Sequence, residues 1–453
     1  MTILSVKSLT TALPNGVRIV DGISFDIAAG ETFALLGESG CGKSMTALSL
    51  MRLLADGLTH GGEVFLDGVA LHDLPEREMR AVRGGTMAMI FQEPGLSLNP
   101  VMTVGAQIAE VLALHGNSSL TPTLSQRETG KIMERCIALL EQVGIPDAAR
   151  RVNEYPFQFS GGMKQRVMIA MALAGQPKLL IADEPTTALD VTIQAQVLQL
   201  LRDTQATSGM AMLLITHDLG VVAENAHRVA VMYAGEIVEQ ATRTQLFSNP
   251  LHPYTQKLFA ALPDVSRRDQ ALTAIPGSVP PLGSITQGCR FAPRCDRAWA
   301  LCHEQTPAWT EVAQGQGVKC HLYQDLGIGI EDLEGSEAHL SNLVPQHQPK
   351  SQIPNPKSLL LQVTDLQVHF PIRKGILQRV VGSVKAVDGV SLSIPQGHTL
   401  ALVGESGCGK TTFGKALLQL VQPTSGSVKF AGRELIGLSG DALRTQRAAM
   451  QMV

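Results

Sequence analysis

Largely apolar runs set the frame of this 453-residue chain. They lie at 32–36, 87–91, 178–182 and 212–215, and each has the length of a strand buried on both faces. Between them, apolar positions recur at helical spacing over 45–54, 104–114, 132–143, 167–174 and 191–206. Residues 1–7 read as a first strand and 17–27 as a strand pair ahead of 32–36. Strands alternating with helices predict an α/β sheet over residues 1–247. The helices 104–114 and 132–143 follow one another without a strand, which predicts a helical insertion into that sheet.

The alternation breaks at 248. Residues 248–325 read as an extension that includes Pro276-Gly277-Ser278-Val279-Pro280-Pro281, and 326–358 read as a linker. Glu331, Asp332, Glu334 and Glu337 make the linker acidic at first; Pro345, Pro349, Pro354 and Pro356 then stiffen it. From 359 to 453 the pattern restarts: Val387-Asp388-Gly389-Val390-Ser391-Leu392 echoes Val20-Asp21-Gly22-Ile23-Ser24-Phe25. The run 399–403 repeats 32–36 as a predicted strand, and 412–420 repeats the helix after it.

Where the run 32–36 meets the helix stands Gly37-Glu38-Ser39-Gly40-Cys41-Gly42-Lys43-Ser44. It returns as Gly404-Glu405-Ser406-Gly407-Cys408-Gly409-Lys410-Thr411. Both copies fit G-x-x-x-x-G-K-[ST] between a strand and a helix, the phosphate-cradling P-loop. Glycines let backbone N–H groups turn towards an anion, and the helix N-terminus adds partial positive charge. Lys43 is expected to reach the β- and γ-phosphates of a nucleotide, and the Ser44 hydroxyl to coordinate Mg²⁺. The expected fold is an α/β P-loop NTPase.

Composition is that of an ordinary globular protein, 44% hydrophobic and 17% charged. The net charge of −3 gives no bulk reason to expect nucleic acid as a partner. No apolar run approaches the roughly 20 residues that span a bilayer, and residues 1–7 lack the features of a signal peptide. A cytoplasmic location is expected, with any membrane role peripheral.

Further motifs follow in order: Gln92 after 87–91, then Phe159-Ser160-Gly161-Gly162-Met163, then Asp183-Glu184 at the end of 178–182. Ala188-Leu189-Asp190 comes next, and His217 after 212–215. This order resembles the nucleotide-binding subunit of an ABC transporter. Phe159 to Met163 resembles its signature motif, Asp183-Glu184 its Walker B acids, Ala188 to Asp190 its D-loop, His217 its switch histidine and Gln92 its Q-loop glutamine. The wording Ala182-Asp183-Glu184-Pro185-Thr186-Thr187-Ala188-Leu189-Asp190-Val191-Thr192, with His252-Pro253-Tyr254-Thr255, resembles the oligopeptide, dipeptide and nickel importer branch. The two-copy layout most resembles fused ATP-binding subunits of glutathione or dipeptide importers.

ATP hydrolysis needs phosphate binding, charge neutralisation and a positioned water. Asp183 would hold Mg²⁺ together with Ser44 and Gln92, Glu184 would polarise the water, and His217 would contact the γ-phosphate. The resemblance implies that Ser160, Gly161 and Gly162 bind the γ-phosphate of a nucleotide held by a second nucleotide-binding domain. It implies two integral membrane permease subunits as partners at the cytoplasmic face, and a periplasmic solute-binding protein indirectly. The family stacks adenine on an aromatic ahead of the P-loop. Copy two offers Phe370, but Thr11-Ala12-Leu13-Pro14 offers none, so aliphatic packing of the base is expected in copy one.

Seven cysteines are present. Cys41 and Cys408 read as permissive loop residues, since a P-loop works through its backbone. Cys289, Cys295, Cys302 and Cys320 form C-x5-C-x6-C-x17-C, which does not match common zinc spacing. Related peptide-importer subunits carry a similar cluster, which implies a candidate [4Fe–4S] centre. Four reduced thiols in a small irregular domain is the other reading.

Met450-Gln451-Met452-Val453 matches Met87-Ala88-Met89-Ile90, so the second copy stops two positions before a counterpart of Gln92. It is expected to be a fragment or interrupted reading frame; pairing of two first domains between chains, or with a separate polypeptide, are the other routes to a dimer. The expected function is an ATPase energising an importer of dipeptides, oligopeptides or glutathione. A nickel importer of the same branch, a soluble tandem ABC ATPase and a redox-sensing module are the rival readings; the proline-rich, partly acidic linker speaks against the tandem ATPase.

Overall fold

The computed structural model describes residues 1–115, 126–187, 189–262, 275–281, 283–284, 287–324, 359–374, 379–405 and 407–452. The expected linker, Ala188 and Ser406 lie outside them. The chain divides into two units, which fall on either side of 334 and 335 apart from the short stretch 190–192.

In the first unit, β1 (Thr2–Ala12) and β2 (Arg18–Ala28) pair antiparallel. The expected strand pair at 17–27 is one strand, because β1 supplies its partner. β3 (Thr32–Leu36) runs into the first P-loop. β4 (Thr59–Leu66) and β5 (Val69–Ala70) complete a four-stranded sheet of order β2-β1-β4-β5.

The main sheet adds β6 (Met87–Ile90), β7 (Leu179–Asp183), β8 (Ala211–Thr216), β9 (Arg228–Tyr233) and β10 (Glu236–Thr242). Two strands of the extension, β11 (Thr310–Ala313) and β12 (Gln316–Val318), continue its edge, giving the order β11-β12-β10-β9-β3-β8-β7-β6. The sequence pattern did not foretell these two strands. Every residue of β3, β6, β7 and β8 is buried, as parallel strands covered on both faces require.

One face of the sheet packs on the helical insertion: Ile108 and Leu112 of helix Val104–His115 and Leu140 of helix Gln126–Gln142 meet Val167 and Ile169. The other face carries helix Lys43–Leu50 and the antiparallel sheet, through Val6, Phe25, Phe33, Ala47 and Leu50. A third cluster joins β9 to the extension. The rings of Tyr233, Tyr254 and Phe291 lie 4.7–5.4 Å apart, within aromatic contact range. Glu239 of β10 accepts the backbone N–H groups of Leu251 and His252 at 2.7 and 2.9 Å, which fastens the start of the extension.

The second unit repeats the smaller sheet. β13 (Leu359–Lys374), β14 (Arg379–Pro395), β15 (Ser425–Phe430) and β16 (Arg433–Glu434) take the order β14-β13-β15-β16, the topology of β2-β1-β4-β5. Val363, Leu366, Val428 and Phe413 of helix Lys410–Leu417 form its core. The expected strand at 399–403 does not form: the segment is irregular, and Val403 is 86% exposed. A parallel strand exists only against neighbours, and the described residues of this unit supply none for it. The stretch 450–452 is irregular for the same reason.

Candidate functional site

Sheet register assembles the site. Leu36, the last residue of β3, is level with Thr216 of β8, and Asp183 of β7 is level with Ile215. Ile90 of β6 is level with Ala182. The residues that follow these strand ends, Gly37, His217, Glu184 and Gln92, therefore emerge along one edge of the parallel sheet. Ligand sites of open α/β sheets form at that edge.

The loop Gly37 to Ser44 has the shape its glycines permit. Gly40 and Gly42 have φ of 81° and 105°, and a Cβ on Gly37 would come 2.3 Å from the Met232 carbonyl oxygen. Gly42 caps helix Lys43–Leu50 without any side-chain bond to its first N–H groups, so these remain for an anion. Lys43 curls over the loop and donates to the Gly37 and Glu38 carbonyls at 2.8 and 3.0 Å. Ser39 and Gly40 are exposed at the loop's crest. Cys41 is buried, and burial pushes its thiol up against the pull of Lys43.

Asp183 is 3% exposed, and burial raises its carboxyl while Ser44 and Lys43 oppose the shift. Its Oδ1 is buried with no hydrogen-bond partner among the described residues. An orphaned carboxylate oxygen beside a serine hydroxyl is an all-oxygen donor set that fits a hard divalent cation such as Mg²⁺.

Glu184 is the hub. Its Oε2 accepts from Gln92 Nε2 at 2.9 Å and from Thr187 Oγ1 at 2.8 Å, and its Oε1 lies 3.0 Å from His217 Nδ1. Burial pushes the Glu184 carboxyl up, but the His217 and Thr187 hydrogen bonds, with the charges of His217 and Lys43, hold it below the ordinary range. It is therefore a carboxylate at neutral pH. Its φ is 48°, an uncommon conformation for a residue other than glycine, which aims the side chain back across the strand ends. The part played by Thr187 was not evident from the sequence.

Ser160 begins helix Gly161–Ala174, where its hydroxyl accepts the Met163 N–H at 3.3 Å. Ser160 and Gly161 are exposed and Gly162 is partly so. Gln165, one turn on, is buried and donates to the Pro185 carbonyl at 2.7 Å, tying this helix to the turn after Glu184.

The second P-loop, in the other unit, keeps the backbone pattern of the first. Gly407 and Gly409 have φ of 86° and 100°, and Lys410 donates to the Gly404 and Glu405 carbonyls at 2.6 Å each. Cys408 is exposed, and Thr411 follows Lys410 in the first turn of helix Lys410–Leu417. In the first unit the expected adenine region runs through Thr11, whose hydroxyl is 2.6 Å from that of Ser49. In the second, Phe370 is exposed.

The four extension cysteines lie near one another, and burial is the main reason that Cys289 and Cys320 are pushed up to about 11. Among the described residues, however, no three Cys, His, Asp or Glu side chains are disposed around a common point as metal ligands. The candidate [4Fe–4S] centre thus finds no ligand set among the described residues.

A profile of the ABC transporter family matches residues 20–187 and 387–453, and one of the oligopeptide/dipeptide transporter C-terminal region matches 238–302. A probable peptide ABC transporter ATP-binding protein of Sinorhizobium fredii is 50% identical over 324 residues, covering 70% of this chain and 94% of the relative. An oligopeptide transport ATP-binding protein of Bacillus subtilis is 47% identical over 331 residues, covering 72% and 98%. A glutathione import ATP-binding protein of Pectobacterium atrosepticum is 44% identical over 441 residues, covering 96% of this chain and 60% of the relative. The chain thus spans 60% of that last relative's length.

Proposed function

Because the chain belongs to the ABC transporter family, we propose that it is the ATP-hydrolysing subunit that energises a peptide importer, with dipeptides, oligopeptides or glutathione as cargo. The observation that carries the reading is the convergence of Glu184, His217 and Gln92 next to the P-loop, in a chain whose peptide-import relatives match it along most of its length. We assign residues 1–247 to the first nucleotide-binding domain, 248–325 to the importer-type extension and 359–453 to a partial second domain, with 326–358 between them.

In this reading the loop N–H groups and Lys43 hold the ATP phosphates. Ser44, Asp183 and Gln92 would hold Mg²⁺, which would neutralise charge on the phosphates. Glu184, ionised and braced by Thr187 and Gln92, would accept a hydrogen bond from the attacking water, and His217, held beside Glu184, would contact the γ-phosphate. Ser160, Gly161 and Gly162 offer a helix N-terminus to the ATP of a second nucleotide-binding domain. The second P-loop, from Gly404 to Thr411, supplies phosphate contacts of the same kind.

An apolar groove of about 860 Å³ opens beside Gln92, walled by Met89, Phe91, Leu96, Met102 and Leu114. We assign it to a cytoplasmic segment of a permease subunit, two of which would carry the cargo from a periplasmic binding protein. Gln92 then links that groove to Glu184. Among the described residues no helix is long and apolar enough to cross a membrane.

The test is Glu184→Gln in the full chain, read by ATP binding and by uptake of a labelled dipeptide in the host. Binding is expected to persist while turnover and uptake fall about 100-fold or more, the scale of a lost general base. Uptake at the parental rate would overturn the reading.

A further inference from the structure

Glu38, the second residue of the first phosphate loop, is held by the extension at two points. Arg294 makes a forked pair with its carboxylate, NH1 to Oε2 at 2.7 Å and NH2 to Oε1 at 3.1 Å. The Tyr254 hydroxyl accepts the Glu38 backbone N–H at 3.0 Å. Both holders are themselves fixed. The Arg294 side chain is only 7% exposed; its Nε donates to the Pro276 carbonyl at 2.9 Å, and its own carbonyl accepts from Lys257 at 2.8 Å. Tyr254 is fully buried between Tyr233 and Phe291.

We propose that Arg294 is a positioning residue of the first ATP site: with Tyr254 it clamps Glu38, and so sets the turn that presents the loop's N–H groups to phosphate. The turn closes on Glu38 itself, whose carbonyl accepts the Cys41 N–H at 3.3 Å and the Lys43 ammonium at 3.0 Å. A loop with glycine at 37, 40 and 42 is conformationally permissive. Fixing its shape beforehand removes an ordering cost that binding would otherwise carry. A planar guanidinium suits the task because its rigid fork meets the two carboxylate oxygens with separate N–H groups, a geometry an ammonium lacks. The extension thereby acts on nucleotide affinity without touching the nucleotide.

The experiment measures Mg·ATP affinity by calorimetry on the full chain carrying Lys410→Ala, so that the first loop alone reports, with the melting temperature followed in parallel. Arg294→Met and Glu38→Gln are expected to raise Kd about tenfold, the value of one charged hydrogen-bonded pair. Arg294→Lys and Tyr254→Phe are expected to raise it about threefold, since each removes one of the contacts. In steady-state hydrolysis, KM for ATP rises more than kcat falls. These two mild variants keep the test decisive if Arg294→Met does not fold. Parental ATP affinity in Arg294→Lys and Tyr254→Phe, or in a folded Arg294→Met whose melting temperature alone has dropped, would overturn the proposal, because Arg294 would then only fasten the extension. The proposal rests on the ATP-binding reading, and failure of the Lys410→Ala parent itself to bind Mg·ATP would overturn that reading first and the clamp with it.

Discussion

A cysteine in a phosphate loop invites a chemical role, and burial removes it. Cys41 is 1% exposed, and its thiol stays protonated despite a lysine two residues on, so the loop works through its backbone. The same physics governs Cys136, Cys289 and Cys320, each pushed up to about 11 mainly by burial. Because the thiolate is the reactive form, iodoacetamide at pH 7.5 is expected to modify exposed Cys408 first. These three thiols should lag about 100-fold behind a thiol of ordinary pKa, which peptide mass mapping over time would read. Their pKa is raised in the folded state, so the unfolded chain loses these protons first. The stability they contribute is therefore complete below about pH 8.5 and is lost as pH rises towards about 11. Rapid labelling of Cys136 and Cys320 in the native chain would contradict their burial.

At the scale of elements, strand register does what no single residue could. Ile90 level with Ala182, and Asp183 level with Ile215, bring Gln92, Glu184 and His217 within hydrogen-bond reach although they are scattered over the sequence. That much was legible beforehand, because buried parallel strands are continuous apolar runs and their motifs sit at the strand ends. The run 399–403 was legible as a strand by the same rule and is not one: sequence reports the propensity, whereas the neighbour must come from elsewhere in the fold. Arg294 was illegible for a different reason. It meets Glu38 across 256 positions, and nothing in the spacing of Cys289, Arg294 and Cys295 points to a P-loop. The aromatic cluster that carries this contact gives a direct test of the element that holds it. Phe291 is 1% exposed and packs on Tyr233, Tyr254 and His252. Phe291→Ala is expected to cost about 3–5 kcal/mol, seen as a lower midpoint in urea. A loss under about 1 kcal/mol would mean that the extension is not packed on β9 as a core.

At the scale of the molecule, one pattern recurs: the sheet order β2-β1-β4-β5 returns as β14-β13-β15-β16, and each copy leads to a P-loop with its lysine folded onto the same two carbonyls. The helix N-terminus at Ser160 and Gly161 is exposed, whereas Gln92, Thr187 and His217 gather around Glu184 at the strand ends beside the first loop. A site made from one domain's loop and another domain's helix N-terminus would use both features. That arrangement would separate binding from turnover, because the loop alone would hold the nucleotide. Ser160→Arg fills the helix N-terminus with a long cation and is expected to leave ATP affinity within about twofold of the parent while abolishing hydrolysis. Ser160→Ala removes only the cap to Met163, costing about 1 kcal/mol of stability, and is expected to retain most of the turnover. The comparison is made in membranes holding the whole transporter, by phosphate release. Parental hydrolysis by Ser160→Arg would rule out a composite site at this helix and return all of the chemistry to residues around Glu184 and Lys43 in a single domain.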